Sequence, residues 1–241
     1  MVNAAGDPNA SAPDVDTLLG PNGALPVVAL RAARLAGAAR FVHISSSVVQ
    51  GDQEVLDSSV HTRAFSPYSA SKVAGERWLL AETDGPTHLT IYRPPSVHAP
   101  SRAVTRKIAA IAASLLASVA GQGTRPTPQA LLGNVGDAVA FLCSTDASPP
   151  SVVHHPWEGL TTAGLLRSLG KREPHRIPMG LAQAARRTLH AVEMVIPAIA
   201  PNRRRLELLW FGQDVAFSWL EDAGWTPPLG TEAWDQLTAI K

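Results

Sequence analysis

The first hundred residues alternate between apolar strand patterns and helical patterns, and this order constrains the fold more than any other feature of the sequence. The alternating segments are residues 2–6 (strand), 26–38 (helix), 40–47 (strand), the stretch beginning near Pro67 (helix) and 88–97 (strand). Strands separated by single helices predict a parallel sheet with right-handed crossovers, and such sheets bind ligands at the carboxyl ends of their strands. We therefore expect an α/β fold with a doubly wound parallel sheet and a site near the serines after Ile44 and the prolines after Arg93.

Composition excludes several classes of protein. With 21 basic and 20 acidic residues the formal net charge is +1, which gives no electrostatic reason to expect a nucleic-acid partner. The single cysteine, Cys143, excludes an intramolecular disulfide framework and a cysteine-rich zinc site. Residues 1–14 lack the basic and apolar regions of a signal peptide, and the longest apolar window, 108–121, is too short for a membrane span and predicts a packed helix. We expect a cytoplasmic protein.

The sequence pattern changes near residue 101, where alanine-rich helical patterns replace the alternation of strands and helices. Helical spacing continues at residues 160–169, 179–194 and 213–223. We therefore expect a core in residues 1–100 and a smaller, helix-rich and mixed lobe in residues 101–241, with segments of the lobe returning to the core.

One helix carries a tyrosine and a lysine four residues apart, in the stretch SPYSASKVAGERW at residues 66–78. Ser66 is a candidate N-cap and Pro67 suits the first turn. Residues four apart share a helix face, so the Lys72 ammonium lies near the Tyr68 ring and favours the phenolate. A phenol with a pKa of about 10 needs a shift of about three units, or about 4 kcal/mol, to act near neutral pH.

Serines at the end of the preceding strand add a third group. A hydroxyl from Ser45, Ser46 or Ser47 can hydrogen-bond the same substrate oxygen whose proton Tyr68 would transfer. With RFVHISSSVVQG at residues 40–51, RPPSVHAP at 93–100 and NVGDAVAFL at 134–142, the chain resembles the extended short-chain dehydrogenases/reductases, and within them the NAD-dependent epimerase/dehydratase family. The resemblance is strong to residue 100 and loose beyond it.

This resemblance implies a Rossmann-like sheet, an NAD or NADP cofactor, a small-molecule substrate and a set of site residues. The implied catalytic residues are Tyr68 as acid/base, Lys72 as its pKa modifier and ribose hydroxyl donor, and Ser46, five residues before Gly51, as the donor to the substrate oxygen. The implied cofactor-binding residues are Asn3, Ala4, Ala5, Gly6, Ile44, Ser45, Tyr68, Lys72, Pro94 and Pro95. The implied substrate-binding residues are Ser46, Ser47 and Ser96. The family also implies a homodimer through the helices at 26–38 and 67–82.

Departures from the family pattern bear on activity and substrate. The family begins with a Gly-rich turn that holds the cofactor pyrophosphate, and the sequence has no such turn, so we interpret the chain as an N-terminally truncated member that starts at the family's fourth strand. Ala130 stands where many nucleotide-sugar enzymes have an arginine, with Arg125 the nearby cation. A sugar nucleotide remains the first substrate hypothesis, a hydroxysteroid-like or other non-sugar alcohol the second, and a catalytically silent binding partner the third.

A pair of histidines and a run of three arginines indicate structural rather than functional roles. His154 and His155 are adjacent, so on an extended chain they point to opposite faces, and no third ligand is spaced for zinc. We expect surface or packing roles and no metal. Arg203, Arg204 and Arg205 form a short basic run that predicts a solvated helix start.

Overall fold

A computed structural model describes residues 1–9, 12–83 and 85–238, which form strands and helices in alternation. The strands are β1 (Val2–Asn3), β2 (Arg40–Ile44), β3 (Val55–Leu56), β4 (His88–Arg93), β5 (Ser96–His98), β6 (Ser118–Ala120), β7 (Gln129–Leu131), β8 (Val152–His154), β9 (His175–Ile177) and β10 (Asp214–Val215). The α-helices are α1 (Asp16–Leu18), α2 (Leu25–Leu35), α3 (Pro67–Ala81), α4 (Ala103–Ala113), α5 (Leu132–Ser144), α6 (Thr162–Gly170), α7 (Met179–Val195), α8 (Ala200–Phe211), α9 (Trp219–Asp222) and α10 (Ala233–Gln236). A π-helix covers Leu19–Ala24, and 3₁₀ turns cover Ser47–Gln50 and Pro197–Ile199.

The chain divides into two compact units, each built from three separate segments. The first unit comprises Met1–Pro95, Val135–Pro156 and Ala216–Thr226. The second comprises Ser96–Asn134, Trp157–Val215 and Pro227–Lys241. Helix α5 begins in the second unit and continues into the first.

A four-stranded parallel sheet, in the order β1-β2-β4-β8, organises the first unit. The register pairs Asn3 with His43 and Ile44 with Tyr92. Helices α2 and α3 cover an apolar cluster on this sheet, formed by Leu30, Ala33, Phe41, Leu79, Ile91 and Val152. Burying such side chains is the main stabilising contribution, about 1.5–3 kcal/mol for each large one. The predicted α/β fold with a Rossmann-like parallel sheet is confirmed.

Helix α3 begins where the sequence predicts. The Ser66 hydroxyl accepts from the Ser69 amide at 3.1 Å, the Ser69 hydroxyl accepts from the Ser66 amide at 2.9 Å, and Pro67 occupies the first helical position. This reciprocal capping satisfies amides that the first helical turn leaves without partners. It places Tyr68 in the first turn and Lys72 in the second.

The strand predicted at residues 88–97 is instead two strands. Strand β4 ends at Arg93, and β5 begins at Ser96 and pairs with β7 in the second unit. Pro94 and Pro95 lie between them and supply no amide hydrogen for the ladder, so the chain leaves the sheet there.

Two segments predicted to be helical along their whole length are helical only in part. Residues 108–121 contain only the end of α4 and then strand β6, and residues 213–223 contain β10 and the short helix α9. Both windows were assigned from hydrophobic spacing alone. Ser218 begins α9 with its own cap, since its hydroxyl accepts from the Leu220 amide.

The second unit contains helices packed on two small parallel ladders. Strand β5 pairs with β7 and β6 pairs with β9. Its apolar cluster includes Leu165, Leu166 and the fully buried Trp234. In the part of the chain that the structure describes, no helix is long and apolar enough to cross a membrane.

Candidate active site

Lys72 lies at the carboxyl ends of strands β1 and β2, where parallel sheets bind ligands. Lys72 is only 6% exposed. Its Nζ lies close to the loop after β1, since a β-carbon added to Gly6 would be 3.4 Å from it. Burial lowers the pKa of Lys72, whereas the Glu76 carboxylate one turn later on α3 raises it. Among the described residues the ammonium has no hydrogen-bond partner, so it retains three donors toward this edge of the sheet.

Tyr68 and the strand-end serines lie on two elements that contact each other, helix α3 and the turn after β2. Tyr68 is partly buried in the first turn of α3, and α3 contacts the 3₁₀ turn Ser47–Gln50. Ser46 caps that turn by accepting from the Val48 amide at 3.4 Å, so its own hydroxyl hydrogen remains able to donate. The Ser47 amide donates to the Pro94 carbonyl at 2.9 Å. The first unit therefore brings together the elements that carry Ser46, Tyr68 and Lys72.

Asn22 ties the loop after β1 to the first turn of α3. Its side-chain amide donates to the Asp7 carbonyl at 3.0 Å and to the Ser71 hydroxyl at 3.1 Å, and its oxygen accepts from the Asp7 amide at 3.0 Å. Ser71 in turn donates to the Tyr68 carbonyl at 2.8 Å. Asn22 and Ser71 are both fully buried, so this network sets the position of Tyr68 relative to β1.

The network was not predicted, because the sequence around Asn22 has the pattern of a loop. LGPNGA carries two glycines and a proline, yet it forms the π-helix that precedes α2. Close packing against α3 explains its composition: a β-carbon on Gly75 would lie 2.1 Å from the Asn22 carbonyl oxygen, and one on Gly23 would lie 2.7 Å from the Trp78 ring. π-Helical turns occur frequently at functional sites.

Two buried polar groups near Lys72 have no hydrogen-bond partner among the residues that the structure describes. The Asn3 amide nitrogen lies 3.2 Å from His43 Nδ1, and the Asn3 oxygen accepts from the Ala5 amide, which sets the amide's orientation. His43 Nδ1 therefore accepts and Nε2 carries the proton, but Nε2 is buried without a hydrogen bond, as is the Ser45 hydroxyl. An unsatisfied buried group costs about 1–3 kcal/mol, so both groups are suited to a bound ligand or water.

The electrostatic state of His43 yields a pH prediction. Burial, with the Lys72 ammonium, lowers the pKa of His43 from 6.5 to about 3. Between these values the unfolded chain binds a proton that the folded chain does not, so stability falls as pH decreases. Relative to His43→Gln, the wild-type chain should lose about 2 kcal/mol more of its free energy of unfolding between pH 7 and pH 5.

Denaturant unfolding at the two pH values measures this difference. His61→Gln, which replaces an exposed histidine of the same unit, is the matched control and should leave the pH dependence of the wild type unchanged. Equal losses in the wild-type chain and His43→Gln would show that His43 is not held neutral in the folded state.

A buried ion pair lies next to this edge of the sheet. Arg93, the last residue of β4, donates from Nη2 to Glu76 Oε2 at 2.6 Å and from Nε to both carboxylate oxygens. Its Nη1 donates to the Ser59 carbonyl at 2.7 Å. Both side chains are essentially inaccessible, so Glu76 joins Arg93 to the helix that carries Lys72. Sequence analysis did not predict this role, because Arg93 lies 17 residues from Glu76 on another element.

The remaining residues predicted to bind the cofactor or the substrate differ in how deeply they are buried and in the unit to which they belong. Asn3 is buried, whereas Ala4, Ala5 and Gly6 are exposed along the loop after β1. Ile44 is half-buried at the end of β2, and Pro94 and Pro95 are buried at the end of β4. These residues all belong to the first unit. Ser96 belongs to the second, where its hydroxyl lies 3.1 Å from His98 Nε2. Its assignment to the substrate stays a prediction.

The adjacent histidines have separate packing roles in the first unit. His154 Nδ1 lies 2.8 Å from the Ser58 hydroxyl, and its Nε2 lies 2.9 Å from the Ala216 carbonyl. His155 Nδ1 lies 2.5 Å from the Tyr92 hydroxyl. Both histidines are buried, so of the two roles expected for them, surface or packing, the structure shows packing.

The prediction of a solvated helix start at Arg203–Arg205 is wrong for two of the three arginines. They lie inside helix α8, and Arg203 and Arg204 are buried. Arg203 forms ion pairs with Glu193 and Glu207, which compensate its burial. Only Arg205 is exposed.

The family is decided by comparison with known sequences. The sequence model of the NAD dependent epimerase/dehydratase family matches residues 1–147, which is more than half of the chain and includes the whole arrangement around Lys72. The chain belongs to this family. No curated protein sequence matches it.

Solved structures show the same fold at low sequence identity. A UDP-glucuronic acid 4-epimerase from Bacillus cereus in complex with NAD is 16% identical, with a TM-score of 0.64 over 98% of this chain and 69% of that chain. RMD from Pseudomonas aeruginosa complexed with NADPH is 17% identical, with a TM-score of 0.62 over 99% and 79%. MoeE5 in complex with UDP-glucuronic acid and NAD is 22% identical, with a TM-score of 0.56 over 73% of this chain. The chain spans 64% of the length of MoeE5.

Proposed function

We propose that this epimerase/dehydratase family member is an NAD(P)-dependent oxidoreductase that acts on a sugar nucleotide. The observation that carries the proposal is the buried Lys72 ammonium, held at the carboxyl ends of β1 and β2 one helical turn after Tyr68. Similar solved structures support the cofactor and the substrate class, since they are complexes with NAD or NADPH and, for some, with UDP-glucuronic acid.

The residues at this edge fit the nicotinamide and ribose half of the cofactor. Lys72 supplies donors for ribose hydroxyls, and the buried Ser45 hydroxyl lacks a partner within the described chain. The side chains of Ala4 and Ala5 are small and exposed, which leaves the backbone after β1 open to a flat ring. We assign no residue to the pyrophosphate, because the printed sequence has no Gly-rich turn between a strand and a helix.

Three side chains have roles in the proposed reaction: Tyr68 transfers the proton, and Ser46 and Lys72 assist it. When bound, the nicotinamide takes a hydride from the substrate carbinol carbon and can return it. Tyr68, as phenolate, accepts the hydroxyl proton while the C–H electron pair leaves, so the alcohol becomes a ketone. Ser46 donates a hydrogen bond to the same oxygen. Lys72 stabilises the phenolate by its positive charge, and Glu76 favours the ammonium form of Lys72.

An assay with the intact chain tests this proposal. Purified protein is incubated with NAD or NADP and a panel of UDP- and dTDP-linked sugars, and 340 nm absorbance and NMR follow reduced cofactor and new sugar isomers. We expect turnover of at least one sugar and quenching of tryptophan fluorescence by the matching reduced cofactor. Absence of both cofactor binding at millimolar concentration and turnover would favour the third hypothesis, a catalytically silent binding partner.

One observation favours the second hypothesis, a non-sugar alcohol such as a hydroxysteroid-like substrate. Arg125, the cation nearest the position of the family's diphosphate-binding arginine, forms an ion pair with Asp214 at 2.5 Å. Ala130 is buried in β7 and offers no charge. Adding hydroxysteroids and aryl ketones to the substrate panel distinguishes the two substrate classes.

The exposed apolar side chains of α2 and α3 support the predicted homodimer. Val28, Leu35 and Trp78 are exposed on these two helices, which the family resemblance places in a dimer contact. Their burial between two copies would remove apolar surface from water. The cytoplasmic location stays a prediction.

A further inference from the structure

Helices α7 and α8 of the second unit form a hairpin with an exposed apolar end. The side-chain contacts between His190 and Glu207 and between Glu193 and Arg203 show that the helices run antiparallel, joined by the turn Pro197–Ile199. Around that turn lies the hairpin tip, defined by Val192, Met194, Val195 and Ile196. These side chains are 38%, 87%, 81% and 50% exposed. Adjacent exposed apolar side chains of this kind mark an interaction surface.

The hairpin also carries a net positive charge. Residues 179–211 contain five arginines and two glutamates, a formal charge of +3, whereas the whole chain carries +1. The rest of the chain is therefore slightly acidic. Such segregation gives the hairpin an electrostatic preference for an anionic partner.

The two glutamates are already compensated within the hairpin, whereas three of its arginines have no carboxylate partner among the described residues, and one of these, Arg186, lies over the Phe211 ring. Arg203 pairs with Glu193 and Glu207, and Arg204 lies 3.7 Å from Glu207. Arg187 and Arg205 are exposed and, among the described residues, have no carboxylate partner. Arg205 donates only to the Asn202 side-chain oxygen.

The distance along the helix axes from the hairpin tip to these arginines is comparable to the depth at which interfacial helices bury their apolar residues. At 1.5 Å per residue, Arg205 lies about 8 Å from the start of α8, and Arg187 lies about 12 Å from the end of α7. Interfacial helices bury their apolar residues about 5–10 Å into the boundary between headgroups and acyl chains. With the tip at that depth, both guanidinium groups reach the level of the lipid phosphates.

We propose that the hairpin tip inserts into an anionic membrane surface and that Arg187 and Arg205 bind the lipid phosphates, making the protein a peripheral membrane binder. A second copy of the chain is a poorer occupant, because pairing two such hairpins would bring like charges together. The proposal is independent of the proposed redox activity.

Vesicle flotation tests this proposal on the intact chain. Vesicles of phosphatidylcholine alone are compared with vesicles containing 30 mol% phosphatidylglycerol, at about 0.1 M and 0.5 M NaCl. We expect binding to the anionic vesicles at low salt and little binding to the neutral ones or at high salt. Met194→Ser with Ile196→Ser should abolish flotation. Arg187→Gln with Arg205→Gln should weaken partitioning about 30-fold, since one basic side chain contributes about fivefold.

Matched controls separate the hairpin from general surface properties. Leu115→Ser with Leu116→Ser removes two equally exposed apolar side chains, and Arg106→Gln with Lys107→Gln removes the same charge, both elsewhere in the second unit. Both controls should float like the wild-type chain. Equal loss in tip and control variants, or no flotation of the wild type at low salt, would overturn the proposal. So would a change of molar mass in light scattering for the tip variant, which would assign the tip to a second copy.

Discussion

Tyr68→Phe should lower the turnover of the substrate identified above by about 10²- to 10⁴-fold, the usual contribution of one general acid/base. The variant keeps the ring in the first turn of α3 and keeps the carbonyl that accepts from Ser71. It removes only the phenolic oxygen that would take the substrate proton. We therefore expect a large loss of kcat, with the melting temperature and the affinity for reduced cofactor close to those of the wild-type chain.

The chain offers a matched control for this experiment, because it contains two tyrosines. Tyr92→Phe removes the hydroxyl that contacts His155 in the interior of the same unit. We expect Tyr92→Phe to reduce stability and to retain turnover. If Tyr68→Phe kept turnover within about threefold of the wild type, Tyr68 would not be the acid/base.

Glu76→Ala should destabilise the first unit by about 3–5 kcal/mol, since it leaves the inaccessible Arg93 guanidinium without its carboxylate. The Lys72 ammonium would lose the charge that raises its pKa in the same variant. Chemical denaturation followed by tryptophan fluorescence measures the free energy of unfolding. A loss of binding for reduced cofactor should accompany the loss of stability.

Two further variants test whether the unpaired Arg93 charge causes this loss of stability. Asp52→Ala removes a partly exposed carboxylate that pairs with the exposed Arg63 in the same unit, and should cost less than about 1 kcal/mol. Replacing both partners, Glu76→Leu with Arg93→Met, should cost less than Glu76→Ala alone because no charge is left buried and unpaired. A double variant less stable than the single one would contradict this account.

Local sequence signals predicted the start of helix α3, the parallel sheet and a strand at residues 40–47, of which Arg40–Ile44 forms the strand. Each depends on neighbours along the chain: Ser66 caps its own helix, and apolar periodicity marks strands. The π-helix was missed because Asn22 and Gly23 adopt it only by packing on Gly75 and Trp78 of another helix. The buried Arg203 was likewise misjudged, since its compensating Glu193 lies ten residues earlier on a different helix.

Sequence spacing constrains the candidate site only where one segment carries its chemistry. Tyr68 and Lys72 lie on one helix, α3, as the spacing predicts, and their closeness as a functional pair stays a prediction. The unpartnered Nε2 of His43 depends on the orientation of Asn3, which lies 40 residues away in sequence. The roles of Ser46, Tyr68 and Lys72 stay predictions, and Tyr68→Phe tests the first step of them.

The interleaving of the two units has a consequence for biosynthesis. Strand β4 emerges from the ribosome well before its neighbour β8, which follows only after residues 96–134 of the other unit. The last segment of the first unit, Ala216–Thr226, follows a further stretch of the second. Neither unit can therefore finish folding before almost the entire chain has been translated, and no single cut in the gene would release either one intact.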